Sequence, residues 1–389
     1  MSDLELETEV RNVKKNQKLS IKRLIVTLEV IQEPRRRGGN FKHKLIDILI
    51  MALLAIICGC ESWEDVEEYA EIKQEWLKEH LPLENGIPSA DTFRRVFERI
   101  KPTELEEAYR QWVLPYVGGC LKKQISLDGK TIRGASNKRG PESKIHIVSA
   151  WVHDDGISLG QIKTDEKSNE ITAIPQLLTV LDIKGGVVTI DAMGCQKTIA
   201  KEIVAREASY ILAVKMNQPT LYEEMKTYFE WAVHDETERK NIDRYKKLDK
   251  DRGRICSRRV TSTTDIVWFE SKDEWPDLRT MVMLERRTTV KDKVTEEKQY
   301  FISNMEISAE EFCRLIREHW SIENKLHWVL DATFHEDQSL ISNKNSPENL
   351  SILRKIGMAL LKKNPKATSL RRKQKIAGWD NSFMTSLFD

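Results

Sequence analysis

Of 389 residues only six are cysteine, 17 glycine and 11 proline, and aromatic side chains make up 7%. The cysteines stand at 58, 60, 120, 195, 256 and 313; the one close pair, Cys58-Gly59-Cys60, lies inside an apolar run, and no second pair has the spacing of a zinc site. Scattered thiols and the lack of a signal peptide point to a reducing cytoplasm. Long apolar runs are missing too. The most hydrophobic stretch, Ile48 to Cys60, falls short of the roughly 20 residues that span a bilayer, so it reads as a buried helix and no membrane role follows. No internal repeat or low-complexity tract is found. Excess charge of one sign is likewise missing: the net charge is +2, and the global balance announces no polyanionic partner.

What is present is a strongly charged globular composition, 40% hydrophobic and 32% charged. The chain is long enough for more than one domain at roughly 150 residues each. Charge is informative locally. From Arg239 to Arg259 ten Lys/Arg residues face three aspartates, and from Lys362 to Lys375 seven basic residues face no acid. A third cluster runs from Arg35 to Arg37 and resumes at Lys42. Such runs suit a polyanion, although a solvated surface explains any single one of them.

Residues 1–20 are polar and expected to be poorly ordered. From Ile21 to Val117 the pattern is helical, with helices expected over Ile48–Cys58, Trp63–Leu77, Ala90–Ile100 and Thr103–Val113. The segment beginning at Ser89 is either a recognition helix presenting Arg94 and Arg95 to DNA or a plain surface helix with both arginines outward. Gly118-Gly119 marks a boundary, after which the texture changes to strands. Strands are expected at Gln124–Leu127, Ile145–Val152, Ile157–Ile162, Val187–Ile190 and Tyr210–Lys215, with a hairpin turn at Asp154-Asp155-Gly156. Helices are expected at Asn169–Leu181, Lys197–Glu207 and Tyr222–Val233. Three strands, helix, strand, helix, strand, helix is the order of an RNase H-like core. Further strands are read at Arg258–Thr261, Ile266–Phe269, Thr280–Leu284 and Gln299–Ser303, then one long helix from Ser308 to Thr333.

Three acids stand out by position. Asp128 closes the strand Ile125-Ser126-Leu127, and Asp191 closes Val187-Val-Thr-Ile190 and precedes a helix. Taken singly, the first reads as a turn residue and the second as a helix cap. Glu323 is harder to assign to structure. On a wheel of about 100° per residue, Phe312, Ile316, Leu330 and Phe334 fall within roughly 20° of it, and His319 and His327 about 40° to either side. A carboxylate at the centre of an apolar stripe is either neutralised in the core or held for a cation, because an unpaired buried charge costs several kcal/mol. Together the three fit phosphodiester chemistry with two Mg²⁺ ions, Mn²⁺ as a substitute, held by hard carboxylate oxygens from separate elements. Histidine-based zinc chemistry fits the spacing less well.

Four segments then carry a resemblance: Ser126-Leu-Asp128-Gly-Lys-Thr-Ile-Arg-Gly134, Asp165-Glu-Lys-Ser-Asn-Glu170-Ile171, Thr189-Ile-Asp191-Ala-Met193, and the stretch from Arg317 to Asp331 around His319-Trp-Ser-Ile-Glu323-Asn-Lys-Leu-His327. Over nearly the whole chain they resemble the H-repeat-associated (Rhs-linked) insertion-sequence transposases. The resemblance implies an α/β RNase H-like catalytic core with an inserted β-rich subdomain, preceded by an all-α N-terminal domain. It divides the chain into a helical, DNA-associated region 21–117, a DDE transposase domain 118–340 with its insertion at about 234–303, and a basic helical segment 341–389. It makes Asp128, Asp191 and Glu323 both the catalytic acids and the metal ligands. Glu323 follows Asp191 by 132 positions, as an insertion requires. The tyrosine, arginine and lysine that the wider class places around its glutamate are not matched: Ile316, His319 and Leu330 stand there instead.

DNA contacts are expected from Arg94, Arg95, Lys130, Arg133, Arg252, Arg254, His319 and Asn324, with Asp331 and Asp337 as further candidates of unassigned role. The expected partners are the element's terminal repeats and target DNA, met as a homo-oligomer in the bacterial cytoplasm at the nucleoid, with no membrane and no small-molecule substrate. Two other readings share these residues: a decayed, non-catalytic DNA-binding protein, and a metal-dependent nuclease that cuts without joining.

Overall fold

The structure is a computed structural model that describes residues 18–35, 41–134, 145–164, 170–251, 254–291 and 293–389. The tail expected to be disordered, up to residue 17, Arg252 and the motif residues 165–169 lie outside the described residues.

The first third of the chain is helical: α1 (Ile21–Leu28), α2 (Leu45–Cys58), α3 (Trp63–Ile72), a single turn α4 (Gln74–Leu77), α5 (Ala90–Phe97) and α6 (Pro102–Val117). Ser20 and Ser62 cap α1 and α3 through their hydroxyls, and Ser62 forms a reciprocal box with Asp65. The apolar run is α2. It is buried from Asp47 to Ile57 and is stopped by Gly59, whose φ of +96° a side chain would resist. No single described helix is long and apolar enough to cross a membrane.

Nine strands follow, with three helices between them: β1 (Gln124–Ile132), β2 (Ile145–Val152), β3 (Ile157–Lys163), α7 (Glu170–Val180), β4 (Val187–Ile190), α8 (Lys197–Ala205), β5 (Ser209–Val214), α9 (Pro219–Ala232), β6 (Ile242–Asp251), β7 (Arg254–Thr263), β8 (Thr280–Val290) and β9 (Lys293–Ser303). They form one mixed sheet in the order β3-β2-β1-β4-β5-β9-β8-β7-β6. β1, β4 and β5 run parallel to one another, while β2–β3 and β6–β9 are antiparallel. The strands β6–β9, in the region expected to be an insertion, thus continue the main sheet through the β5–β9 pairing rather than forming a sheet of their own.

Two strand expectations need correction. Ile266–Phe269 is a turn; Ile266 and Phe269 plug the core, and Trp268 stacks on Tyr228 with centroids 4.5 Å apart. β6 was not expected at all, since its mostly polar sequence lies on the open edge of the sheet.

The last elements are α10 (Ala309–His319), a π-helical turn Glu323–His327, α11 (Trp328–Phe334), α12 (Ser346–Lys363), α13 (Leu370–Trp379) and α14 (Asn381–Thr385). The single helix expected from Ser308 to Thr333 is therefore interrupted, and the apolar stripe read on its wheel is two stripes. Phe312, Leu315 and Ile316 pack on the sheet, whereas Ile322, Leu326, Leu330 and Phe334 enter the core built by the N-terminal helices. α12 is buried along most of its length and completes that same core. The basic run after Lys362 is accordingly not all surface. Lys362, Lys363 and Lys373 donate to the carbonyls of Lys325, Asp155 and Leu361 at 3.0, 2.6 and 3.0 Å, while Arg371, Arg372 and Lys375 are exposed.

Candidate active site

Strand register brings the two aspartates together. β1 and β4 are parallel and in register from Gln124 opposite Val187 to Leu127 opposite Ile190, so Asp128 and Asp191 are the next residue on each of two neighbouring strands. Parallel neighbours lie about 4.8 Å apart, and side chains alternate between faces. Ile125, Leu127, Val188 and Ile190 face the core beneath α7 and α8. Gln124, Ser126, Thr189 and the two aspartates face the other way. The strand does not turn at Asp128-Gly129; it runs on to Ile132 in register with β2.

The opposite face is polar and carries the helix that bears the third acid. Ser126 Oγ lies 2.8 Å from Thr189 Oγ1 and 2.7 Å from His153 Nε2, and His153 Nδ1 lies 2.9 Å from Ser321 Oγ. Thr189 Oγ1 also meets His319 Nδ1 at 3.0 Å, and Gln124 donates from Nε2 to the carbonyl of Leu315 at 2.8 Å. These buried bonds lock the end of α10 and the turn after it onto β1 and β4. Burial, reinforced by Lys325, His319 and Arg314, pushes the His153 pKa down to about 3.

The π turn then sets Glu323 over the strand ends. Glu323 is exposed rather than buried in a stripe, because the turn is where the helix changes from packing on the sheet to packing on the helical core. Single π turns inside helices occur often at functional sites. Asp128, Asp191, Glu323 and His319 line one cavity of about 600 Å³, together with Lys215, Lys298 and the aromatic rings of Tyr222, Tyr300 and Trp320. Asp128, Glu323 and His327 each offer a ligand atom within 4.8 Å of the other two. Burial raises the pKa of Asp191, and the nearby carboxylates of Glu170 and Asp128 raise it further. The cavity therefore gathers carboxylates, with Lys215 and Lys298 in the same wall.

Chains with this site have known relatives. Residues 120–360 match the family model described as "Transposase DDE domain", and residues 25–113 match the model described as "DDE_Tnp_1-associated". The chain belongs to the DDE transposase family. A protein of Escherichia coli O157:H7 named "Putative transposase YncI" is 38% identical over 92% of this chain and 93% of its own length. The "H repeat-associated putative transposase YhhI" of E. coli K12 is 37% identical over 95% and 98%. Among solved structures, a piggyBac transposase synaptic complex with hairpin DNA covers 95% of this chain and 77% of its own, at 10% identity and a TM-score of 0.39.

Within this DDE family member the expected site residues separate into groups. Asp128, Asp191, Glu323 and His319 meet in the cavity, and Asn324 is exposed on the same turn as Glu323. Lys130 is mostly buried and held by Asp331, by Glu336 at 2.8 Å and by Asp337 at 3.6 Å, so its charge is already matched. Those partners also place Asp331 and Asp337 in an ion-pair network. Arg133 is exposed, with Asp337 3.8 Å from its Nε. Arg94 pairs with Asp91 and Glu98 and Arg95 with Asp91 along α5, and Arg254 is exposed at the start of β7. None of these arginines lines the cavity.

Sequence reasoning missed Glu170 and His146. Glu170 opens α7 and accepts from His146 Nε2 at 2.7 Å, and His146 Nδ1 lies 2.9 Å from Thr131 Oγ1. Glu170 closed one of the resembling segments, but nothing local marked it as a neighbour of Asp191. His327 was placed near the acids on the wheel and given no role. Its spacing of four from Glu323 on one helical face was the available signal.

Proposed function

We propose that this DDE family member is an active insertion-sequence transposase with an RNase H-like core, acting on DNA in the bacterial cytoplasm. It binds the terminal repeats of its element as a homo-oligomer, hydrolyses a phosphodiester at each end, and joins the freed 3′ hydroxyl to target DNA. The convergence of Asp128, Asp191 and Glu323 on one cavity carries this reading, and the 3-2-1-4-5 order of the first five strands supports the RNase H-like core.

The residues fit divalent cations. Their donors are carboxylate oxygens from separate elements, and both ring nitrogens of buried His327 beside them lack hydrogen-bond partners. Asp128, Asp191 and Glu323 would hold two Mg²⁺ ions, with Mn²⁺ as a substitute, which lower the pKa of an attacking water and stabilise the leaving oxyanion when bound. The chain's own part is placement. β1 and β4 present two carboxylates side by side, and the hydrogen-bonded face beneath α10 fixes the third above them. Lys215 and Lys298 in the cavity wall suit the phosphate on either side of the scissile bond. Arg133 and Arg254 on the surface, and Arg94 and Arg95 on α5 of the helical region, would supply salt-dependent contacts along the duplex.

The test is joining. A pre-cut element end with a free 3′ hydroxyl is incubated with supercoiled target DNA and the purified chain. Covalent joining by the wild type, lost in Asp191→Asn with end binding retained, is the expected result. End binding without joining or cutting by the wild type would move the reading to a non-catalytic DNA-binding protein.

A further inference from the structure

Both ring nitrogens of His327 are buried without a hydrogen-bond partner, although the residue is only 3% exposed. A buried imidazole in that state is destabilising unless something else meets its ring nitrogens. Nε2 stands 3.2 Å from Asp128 Oδ2, close enough for an ion pair but not aligned as a hydrogen bond. The same imidazole offers a donor within 4.8 Å of those of Asp128 and Glu323. Glu323 and His327 begin and end the π turn, and the turn holds the carboxylate and the imidazole toward the same strand end. An imidazole nitrogen lone pair held this near two carboxylates suits a cation better than it suits either carboxylate, since lone pairs repel.

We propose that His327 is the third protein ligand of the ion held by Asp128 and Glu323, which makes this position a mixed nitrogen–oxygen site that favours manganese-like ions over magnesium. The inference rests on the metal-dependent reading of the site. Magnesium prefers oxygen donors and sheds water reluctantly, whereas Mn²⁺ shares the oxygen preference but belongs to the first-row series whose affinities for nitrogen as well as oxygen sites follow one order. Asp191 lies outside the three-residue cluster, so a second ion bound between Asp128 and Asp191 would keep an oxygen-only environment. The two positions would then differ in preference, the histidine side taking Mn²⁺ first.

The experiment uses the full chain without DNA. Mn²⁺ binding is followed by electron paramagnetic resonance of the free ion, with Mg²⁺ as competitor, for the wild type, His327→Gln and Asp128→Asn. The bound Mn²⁺ of the wild type is also examined by electron spin-echo modulation, which registers a directly coordinated imidazole nitrogen. Expected are a nitrogen modulation in the wild type and a loss of Mn²⁺ affinity in His327→Gln of at least about tenfold, the scale on which even an outer-shell partner matters. Mg²⁺ affinity should fall less, so that the preference for Mn²⁺ shrinks. Tight Mn²⁺ binding by the wild type with no nitrogen modulation overturns the assignment of His327 and leaves the carboxylate site standing. If neither the wild type nor any variant binds Mn²⁺ or Mg²⁺, both the assignment and the metal-dependent reading fall. Because the modulation is read on the wild type, a misfolded variant cannot decide the matter.

Discussion

Gly129→Ala is a sharp test of how the strand bearing Asp128 meets its surroundings. Gly129 follows Asp128 within β1, and a Cβ built there would lie 2.5 Å from the Glu170 carboxyl carbon and closer still to Glu170 Oε1 and His146 Nε2. A methyl group cannot share that space. Either the strand moves, carrying Asp128, or the Glu170–His146 pair opens. Overpacking costs about 1–3 kcal/mol, and the partly buried hydrogen bond between the pair contributes about 1 kcal/mol net. Against this, alanine recovers roughly 0.5–1 kcal/mol of the strand-interior cost of glycine. The net expectation is a loss of about 1–3 kcal/mol. The assay is urea denaturation followed by tryptophan fluorescence, run as a double-mutant cycle with Glu170→Ala. Once the Glu170 carboxylate is gone, His146 can turn away and the alanine should cost less than about 1 kcal/mol, a coupling within the range seen for residues in contact. Equal costs in both backgrounds would refute the claim that glycine is needed here for close approach.

The remaining predictions concern neighbouring parts of the site. His153, whose pKa burial holds near 3 against an ordinary value of 6.5, binds fewer protons folded than unfolded between those limits. Stability must therefore rise with pH across that window and be lost on acidification below about 6.5; His153→Gln, which does not titrate, should lose less between pH 6.5 and 4 in parallel melts. Lys130→Met removes the closest cation from the buried Glu336 carboxylate, and should cost about 3 kcal/mol in urea denaturation, as breaking a buried pair does. A stability unchanged by that substitution, with weaker DNA binding, would instead make Lys130 a phosphate contact. Arg254→Gln should lower the salt dependence of DNA binding by about one unit of slope while leaving cleavage at saturating protein unchanged.

Much of this arrangement was legible because it is local. The alternating run before Asp128 and the β-branched run before Asp191 both form strands, and both aspartates sit where those runs end. The succession of strands and helices along the core was likewise readable from each segment's own pattern. What was not legible depends on tertiary packing. β6 is too polar to look like a strand, and it becomes one by pairing with β7 at the edge of the sheet. The wheel drawn through Glu323 assumed a regular helix. The π turn changes its phase, so residues that share a wheel position belong to two different cores, and the carboxylate faces the cavity instead of either core. Lys130 was expected to contact DNA because its carboxylate partners come from a segment some two hundred residues further on. Likewise, Asp128-Gly129 looked like a turn because the pressure on Gly129 comes from α7.

The central claim is that three carboxylates from three elements form one metal-dependent DNA-cutting site. Its most direct test is cleavage of a duplex carrying the element's own ends, in Mg²⁺, Mn²⁺ or EDTA, by the wild type and by Asp128→Asn, Asp191→Asn and Glu323→Gln. The account predicts metal-dependent cutting at the element ends by the wild type alone, with end binding nearly intact in all three variants. Cutting that survives the loss of any one of the three acids, or that proceeds in EDTA, would contradict it.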